Sequence, residues 1–199
     1  MAKGASWERQ ISNVLSHWWT GDPDAGVFWR TANSGGRATV RTRKGRKTPN
    51  HFGDLCATDP VAQPLLDLFV VEIKRGYNRA TVHDLLDRSP KSAAPVHAEW
   101  INKVNEPAKA AGVRYWRLIH KRDRREPLIL LPDHFVCELE DHVEICLEDL
   151  ELSDNRVLRF YCPDVFHSYV WVFALADFLT AVKAKDIVAL HEKLRSEKR

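Results

Sequence analysis

Apolar residues recur with a helical period near the start of the chain. Between residues 6 and 19 they appear every three to four positions, which places them on one face of a helix. The apolar residues of this face are Trp7, Ile11, Val14, Leu15, Trp18 and Trp19. Ser6 is a candidate N-cap, because its hydroxyl can accept a backbone N–H of the first turn. Glu8 borders the apolar face; it either reaches inward or is a solvated first-turn acid favoured by the helix dipole.

Three shorter apolar runs predict strands. They cover residues 27–30, 54–57 and 65–74. The last two are predicted to pair as a hairpin. Glu72 and Lys74 lie inside the third run, two positions apart and therefore on one face of the strand. Burying charge is costly unless the charge is paired. An acid and a base side by side, with Asp54 on a neighbouring strand, form a site that can bind a hard cation and hold a water or a phosphate.

The remaining pattern predicts further helices and strands. The predicted elements are a short helix at 81–87, a helix at 98–111 with Gly112 as its C-cap, strands at 113–120 and 127–131, a strand or helix lead-in at 169–173, and one or two helices within 175–197. Residues 134–164 alternate short apolar and acidic pieces, so the pattern assigns no element there. No stretch has the composition of a linker between domains.

The composition is that of an ordinary folded protein. Of the 199 residues, 44% are hydrophobic and 29% are charged, which makes disorder outside the loops unexpected. This length suits one core, so we expect a single domain over residues 1–199, with a core at about 1–132 and a C-terminal extension at about 133–199. The chain shows neither an apolar signal region nor the roughly 20 apolar residues of a membrane helix. We therefore expect a cytoplasmic protein without membrane contact.

The net charge of +3 hides a strong asymmetry. Residues 1–52 hold nine basic and three acidic residues, a balance of +6, whereas residues 133–164 hold two basic and ten acidic residues, a balance of −8. A polyanion is the natural partner of the first segment. Residues 37–47 carry six of its positive charges and almost no apolar side chain, which predicts a mobile surface loop that contacts phosphates. A loop that only aids solubility is the alternative.

Asp54, Glu72 and Lys74 are the residue types that metal-assisted cleavage of a phosphodiester requires. The reaction needs a nucleophilic water, stabilisation of charge on phosphorus and help for the leaving oxygen; one or two Mg²⁺ ions held by carboxylates supply all three. Asp54 and Glu72 are the candidate ligands, with the backbone carbonyl of Ile73 as a third. Lys74 would position or deprotonate the water and offset negative charge. Glu8 could complete the shell directly or through water.

Alone, an Asp such as Asp54 followed further along the chain by Glu-x-Lys is a weak pattern, since a structural salt bridge also produces it. Here it is one of several elements in a characteristic order. These are Lys3-Gly4-x-x-x-Glu8-Arg9, Arg30-x-x-x-Ser34-Gly35, Gly53-Asp54 and Val71-Glu72-Ile73-Lys74. In this order they resemble the archaeal-type and phage-type Holliday junction resolvases of the PD-(D/E)xK nuclease superfamily. The resemblance covers the N-terminal part of the chain, from the start to shortly after Lys74.

The resemblance implies a fold and a set of site residues. The fold is α/β, a PD-(D/E)xK (restriction-endonuclease-like) mixed β-sheet flanked by helices, here with C-terminal elaborations. The acidic metal-site residues would be Glu8, Asp54 and Glu72. Lys74 would be the catalytic lysine, and Ser34 would lie near the scissile phosphate. The implied cofactor is Mg²⁺, with Mn²⁺ as a substitute, and the implied assembly is a two-fold homodimer.

The implied partner is DNA, branched or duplex. Arg9 and Arg30 match basic positions of the resolvases near the site or the DNA. The expected DNA-binding residues are Lys3, Arg9, Arg30, Arg37, Arg41, Arg43, Lys44, Arg46, Lys47 and Arg75. The charged turn at 121–126 offers four more basic residues, either as a second DNA contact or as a hydrated hairpin tip.

The sequence departs from the resolvase pattern at several points. Gly53 precedes Asp54 where the superfamily's name has proline, and the spacing from Asp54 to Glu72 is longer than in compact resolvases.

The leading hypothesis is a Mg²⁺-dependent endonuclease for branched DNA such as Holliday junctions, encoded by a phage or prophage and acting in the host cytoplasm. One alternative is a restriction- or repair-type nuclease for duplex DNA. Another is a non-catalytic DNA-binding protein, which would have no need for carboxylates beside a polyanion.

Overall fold

The computed structural model describes residues 3–31, 53–87, 93–143, 157–163, 165 and 167–197. The helices in these ranges are α1 (Lys3–Thr20), α2 (Gln63–Leu68), α3 (Asp84–Asp87), α4 (Val96–Ala111), α5 (Asp133–Val143), α6 (Leu175–Ala181) and α7 (Ala184–Ser196). The strands are β1 (Phe28–Arg30), β2 (Leu55–Ala57), β3 (Phe69–Arg75), β4 (Tyr115–Lys121), β5 (Leu128–Pro132), β6 (Val157–Cys162) and β7 (Ser168–Ala174).

The main sheet contains five strands in the order β3-β4-β5-β7-β6. β3 and β4 run parallel, and every other neighbouring pair is antiparallel. β1 and β2 form a separate antiparallel pair. Helices pack on both faces of the main sheet, so the expected α/β class and the mixed sheet flanked by helices are confirmed.

β3 forms one edge of the main sheet, and its side chains alternate between two cores. Val71 and Ile73 pack in the larger core with α1, α2, α5, α6 and α7. Val70 packs in the smaller core beneath α4. Because successive side chains of a strand point to opposite faces, Glu72 and Lys74 lie on the same face as Val70. The charged pair is therefore on the α4 side of the sheet.

The hairpin predicted for the second and third apolar runs is wrong, because the third run begins as a helix. Leu65 and Leu68 are both buried at a helical spacing of three. Pro64 lies in the first turn of α2, where its missing N–H costs nothing, whereas a strand ladder would lose a bond. β2 pairs with β1 instead, and Gly53 meets β3 through an isolated parallel bridge to Val71.

The other predicted elements are present with shifted ends. The first helix is confirmed but begins at Lys3, so Ser6 lies inside α1 and is not its N-cap. Val14 is 45% exposed and does not belong to the buried face. The long helix ends as expected at Gly112, which adopts the left-handed conformation with φ +69°. The short helix expected at 81–87 is α3, which spans only Asp84–Asp87.

The C-terminal region, where the pattern was weakest, contributes to the same sheet. Residues 134–164 include most of α5 and all of β6. The run at 169–173 is a strand, and the final segment forms two helices. No helix of the described ranges is long and apolar enough to cross a membrane.

Arg117 is completely buried in the middle of β4. Its guanidinium carbon lies 4.1 Å from the ring centre of Phe69 and 5.6 Å from that of Phe178. None of its three guanidinium nitrogens has a hydrogen-bond partner among the residues described. Burial lowers the pKa of Arg117 to about 9, so the side chain is still charged at neutral pH. The cation–π contacts offset only part of the cost of removing this charge from water.

Replacing Arg117 by an apolar side chain of similar length should stabilise the protein. We expect Arg117→Met to raise the free energy of unfolding by about 1–3 kcal/mol in urea denaturation at neutral pH, because the desolvation cost disappears. Arg114→Met is the matched control, one residue before β4: Arg114 is exposed and pairs with Glu138 at 2.6 Å, so its loss should lower stability by no more than about 1 kcal/mol. A less stable Arg117→Met protein would contradict the prediction.

Candidate active site

The segment that enters β2 crosses the edge of β3. Gly53 forms its bridge with Val71, and the backbone N–H of Asp54 donates to the carbonyl of Val71 at 2.7 Å. The Asp54 carboxylate accepts the backbone N–H of Ile73 through Oδ2 at 2.8 Å. Asp54 is therefore attached to β3 by both its backbone and its side chain.

Gly53 makes this close approach sterically feasible. Its φ is +82°, and a Cβ at this position would lie 2.4 Å from the carbonyl oxygen of Val71. A proline cannot adopt a positive φ, which explains why glycine stands here instead of the proline in the superfamily's name. Thr31 secures the segment from the other side, because its hydroxyl donates to the carbonyl of Gly53 at 2.9 Å.

Asp54 and Glu72 converge on the ammonium group of Lys74. Lys74 Nζ lies 3.8 Å from Asp54 Oδ2, and it forms a close hydrogen-bonded ion pair with Glu72 Oε1. The three side chains are mostly buried, with exposed fractions of 7%, 18% and 23% for Asp54, Glu72 and Lys74. The structure therefore brings together three of the site residues expected from sequence.

The electrostatics of the three groups are coupled. Burial and the charge of Asp54 raise the pKa of Glu72, while the Lys74 ammonium opposes this rise. Burial lowers the pKa of Lys74, but the charges of Glu72 and Asp54 outweigh burial and raise it. Two carboxylates that repel each other at the edge of a sheet favour a cation beside them.

The donor set at this edge suits a hard divalent cation. Asp54 and Glu72 offer carboxylate oxygens from neighbouring segments, and Ile73, whose N–H binds Asp54, directly follows Glu72 and offers its backbone carbonyl. Among the described residues, no group of three or more His, Cys, Asp or Glu side chains is placed to hold a metal. A cation held here would thus rely on two carboxylates, with backbone and water oxygens completing its shell.

Glu8 lies near this edge on α1, where it contacts Arg30. Its Oε2 lies 3.6 Å from Arg30 Nε, and its side chain is 13% exposed. Arg30 pairs with Leu55 in the small sheet, and the next residue, Thr31, donates its N–H to the carbonyl of Asp54 at 3.0 Å. Glu8 therefore binds the arginine that neighbours Asp54.

The structure describes only part of the expected DNA-binding set. Arg9 is exposed on α1, which begins at Lys3. Arg75 lies over the ring of Trp7 at 5.9 Å, with its Nε 3.9 Å from Asp123. The expected residues outside the described ranges are Ser34, Arg37, Arg41, Arg43, Lys44, Arg46 and Lys47.

Two buried histidines next to the site were not identified from the sequence. His120 is the register partner of Lys74 on β4. Its Nε2 lies 3.0 Å from the carbonyl of Gly76, which only accepts, so Nε2 carries the proton. His120 Nδ1 must then accept from His97 Nε2 at 3.0 Å. This chain of hydrogen bonds holds the end of β3 in place. The sequence does not indicate these bonds, because they depend on the register of β3 with β4.

One family model matches residues 1–188 of the chain, that of the family described as "Phage putative PDDEXK endonuclease". The chain belongs to this family. The match confirms the superfamily inferred from the motif order and extends it from the N-terminal motifs over almost the whole chain. Membership of an endonuclease family implies a nuclease with DNA as its substrate. PD-(D/E)xK nucleases generally use divalent metal ions. No curated protein and no solved structure gives a significant match.

The contact between Gly53 and β3 can be tested with two glycines of similar conformation. Gly53 and Gly21 have φ of +82° and +78°, but nothing lies within 4 Å of a Cβ built at Gly21. Gly21→Ala should cost about 1 kcal/mol for the unfavourable φ. Gly53→Ala should cost about 1–3 kcal/mol more, because its Cβ meets the backbone of Val71. Urea denaturation measures both; equal losses would show that β3 does not approach this closely.

The buried histidine pair should make stability depend on pH. Burial and the charge of His120 lower the pKa of His97 to about 4, against about 6.5 in the unfolded chain. Between these values the unfolded chain binds a proton that the folded chain does not, so stability is lost as pH falls through this window, by at most about 1.4 kcal/mol per unit. His97→Gln should reduce the change of the urea midpoint between about pH 7 and pH 4.5. The exposed control His17→Gln should leave this pH dependence unchanged. An unchanged slope in His97→Gln would contradict the assignment.

Proposed function

We propose that the protein is a Mg²⁺-dependent endonuclease that hydrolyses phosphodiester bonds in branched DNA, with the Holliday junction as its leading substrate. The observation that carries this proposal is the convergence of Asp54 and Glu72 on Lys74 at the edge of β3, in a chain of a PD-(D/E)xK endonuclease family. Both cores draw on the N-terminal and C-terminal halves of the chain, which supports one nuclease domain over residues 1–199.

The side chains at this edge have distinct roles in the proposed reaction. Asp54, Glu72 and the carbonyl of Ile73 would hold Mg²⁺, or Mn²⁺ as a substitute. When bound, the ion supplies a water of lowered pKa and Lewis-acid stabilisation of the phosphate. Lys74 orients a phosphate oxygen or the attacking water and offsets the negative charge that develops on phosphorus. Arg30, held by Glu8, adds positive charge beside Asp54.

The hairpin between β4 and β5 supports DNA binding at the same end of the sheet. Arg122, Arg124 and Arg125 border a cavity of about 370 Å³ that also includes His120. No described carboxylate forms an ion pair with any of these three arginines. β4 is parallel to β3, and His120 is the register partner of Lys74. The hairpin arginines therefore begin two residues beyond the position of Lys74 along the sheet. Residues 37–47 add six positive charges in the sequence. Clustered positive charges suit the phosphates of the DNA backbone.

The preference for branched DNA and the assembly rest on the resolvase resemblance. A four-way junction has two equivalent cleavage points, and a two-fold homodimer presents two equivalent sites to them. Glu8, Asp54, Glu72 and Lys74 occur in the order in which the resolvases carry their site residues.

The proposed activity should be lost when either carboxylate loses its charge. We expect wild-type protein to cleave a four-way junction in preference to flap, single-stranded and linear duplex DNA of matched sequence, with Mg²⁺ and not with EDTA. Asp54→Asn and Glu72→Gln should each reduce the single-turnover rate by at least about a hundredfold, because the cation loses a ligand. Binding of the junction should change little.

Matched controls separate chemistry from folding. Asn at position 54 keeps an oxygen that can accept the N–H of Ile73, so β3 and Asp54's segment stay joined. Glu99→Gln makes the same chemical change as Glu72→Gln on the exposed side of α4 and should leave the rate unchanged. Full activity of Asp54→Asn or Glu72→Gln would remove the carboxylate from the mechanism. Strong preference for linear duplex would refute the resolvase assignment and leave the duplex nuclease.

A further inference from the structure

An open cavity of about 630 Å³ lies where the chain leaves β3, and we name it the Tyr77 pocket. Residues that line it include Tyr77, Asn78, Arg79, Asp84, Pro95 and Val96. Its volume is within the range of small-ligand sites. Tyr77 follows Lys74 by three residues, so their Cα atoms are at most roughly 10 Å apart. The pocket therefore borders the candidate active site.

Tyr77 presents an aromatic ring to this pocket in an unusual backbone conformation. Its φ is +52°, and the residue is 56% exposed. The ring packs edge-on against Trp100, with the centroids 4.8 Å apart. A positive φ in an aromatic residue costs free energy, and such conformations are concentrated at functional sites. Tyr77 is also close enough to Lys74 to contribute to the raised pKa of the lysine, after the larger effects of burial, Glu72 and Asp54.

Backbone and side-chain bonds hold the segment around Tyr77 in place. The N–H of Gly76 donates to the carbonyl of Lys121 at 2.9 Å, and the carbonyl of Gly76 accepts from His120. Asn78 forms two hydrogen bonds with Asp123, at 2.7 and 3.1 Å. These bonds attach the segment to the hairpin between β4 and β5. The ring is thus positioned before any ligand arrives, which reduces the entropy cost of binding.

The charges of the pocket suit a nucleobase better than a bare phosphate. Arg79 forms no ion pair or hydrogen bond with a described residue, so one cation is available. Both oxygens of Asp84 accept bonds from Thr81, and Asp87 adds a second carboxylate to the wall. Carboxylates repel phosphate but accept hydrogen bonds from the amino groups of bases. An aromatic face stacks on any base, and a single arginine can meet the phosphate of the same nucleotide.

We propose that the Tyr77 pocket is a nucleobase subsite that takes one unstacked base next to the cleaved bond, stacked on Tyr77. This proposal rests on the proposed nuclease function and deepens it. A base at a branch point or a distortion leaves its stack at lower cost than a base within a regular duplex. The pocket therefore provides a physical reason for a preference for branched DNA that does not depend on reading a sequence.

A double-mutant cycle between protein and DNA tests the subsite. The probe is a synthetic four-way junction with an abasic nucleotide placed, one position at a time, on either side of the cleaved bond. Dissociation constants are measured by fluorescence anisotropy in EDTA, so that no metal-dependent cleavage occurs. Tyr77→Leu should weaken binding of the intact junction about tenfold. For the junction that is abasic at the position bound by the pocket, Tyr77→Leu should cause no further loss of affinity, because the base that stacks on Tyr77 is already missing.

Two tyrosine variants serve as controls. Tyr77→Phe keeps the stacking ring and should bind like the wild type. Tyr161→Leu changes another exposed tyrosine, 47% exposed, on β6 at the opposite edge of the sheet, and should not alter binding. Wild-type affinity of Tyr77→Leu, or losses that add at every abasic position, would overturn the subsite. If Tyr77→Leu fails to fold in a thermal melt, Tyr77→Asn, which tolerates a positive φ and has no ring to stack, is put through the same cycle with the same criteria.

Cleavage of the unmodified junction and of flap, single-stranded and linear duplex DNA by the wild-type protein in Mg²⁺ is measured alongside. No cleavage of any DNA would overturn the nuclease proposal together with the subsite. Cleavage accompanied by additive losses would overturn the subsite alone.

Discussion

The attachment of Asp54 to β3 is the contact on which the candidate site depends. One residue binds the carbonyl of Val71 through its N–H and the N–H of Ile73 through its carboxylate, at 2.7 and 2.8 Å. This contact joins the small sheet to the edge of the main sheet and places the carboxylate beside Glu72. It is feasible because Gly53 has no Cβ. The acid that would bind a cation is therefore also a structural tie, which makes its position rigid.

Two buried cations in adjacent strands show what separates a site from a core. Lys74 on β3 lies against two carboxylates, and their charges raise its pKa. Arg117 on β4 lies between Phe69 and Phe178, and burial lowers its pKa. Both residues interrupt an apolar run in the sequence in the same way. Only the surroundings, acids for one and aromatic rings for the other, distinguish the two cations.

The parallel pairing of β3 with β4 gathers the functional candidates at one end of the sheet. Parallel strands end on the same side, so the segment after Lys74 and the hairpin after His120 meet there. The histidine bond to Gly76 and the two bonds between Asn78 and Asp123 connect these segments. Carboxylates, the arginines of this hairpin and the exposed ring of Tyr77 consequently lie close together along one edge. The groups proposed to cleave a phosphodiester, bind phosphates and stack a base therefore lie within one region.

Local pattern determined much of this protein. The period of α1 and α4, the C-cap at Gly112 and the common face of Glu72 and Lys74 follow from spacing, because helix and strand geometry act over a few residues. The order of motifs was enough to infer the superfamily. Pairing partners were decided only in three dimensions: Asp54 reaches β3 without a hairpin, Glu8 binds Arg30, and His120 lies level with Lys74. These contacts join residues far apart in the chain, and their register depends on the packing of the whole sheet, which no local period specifies.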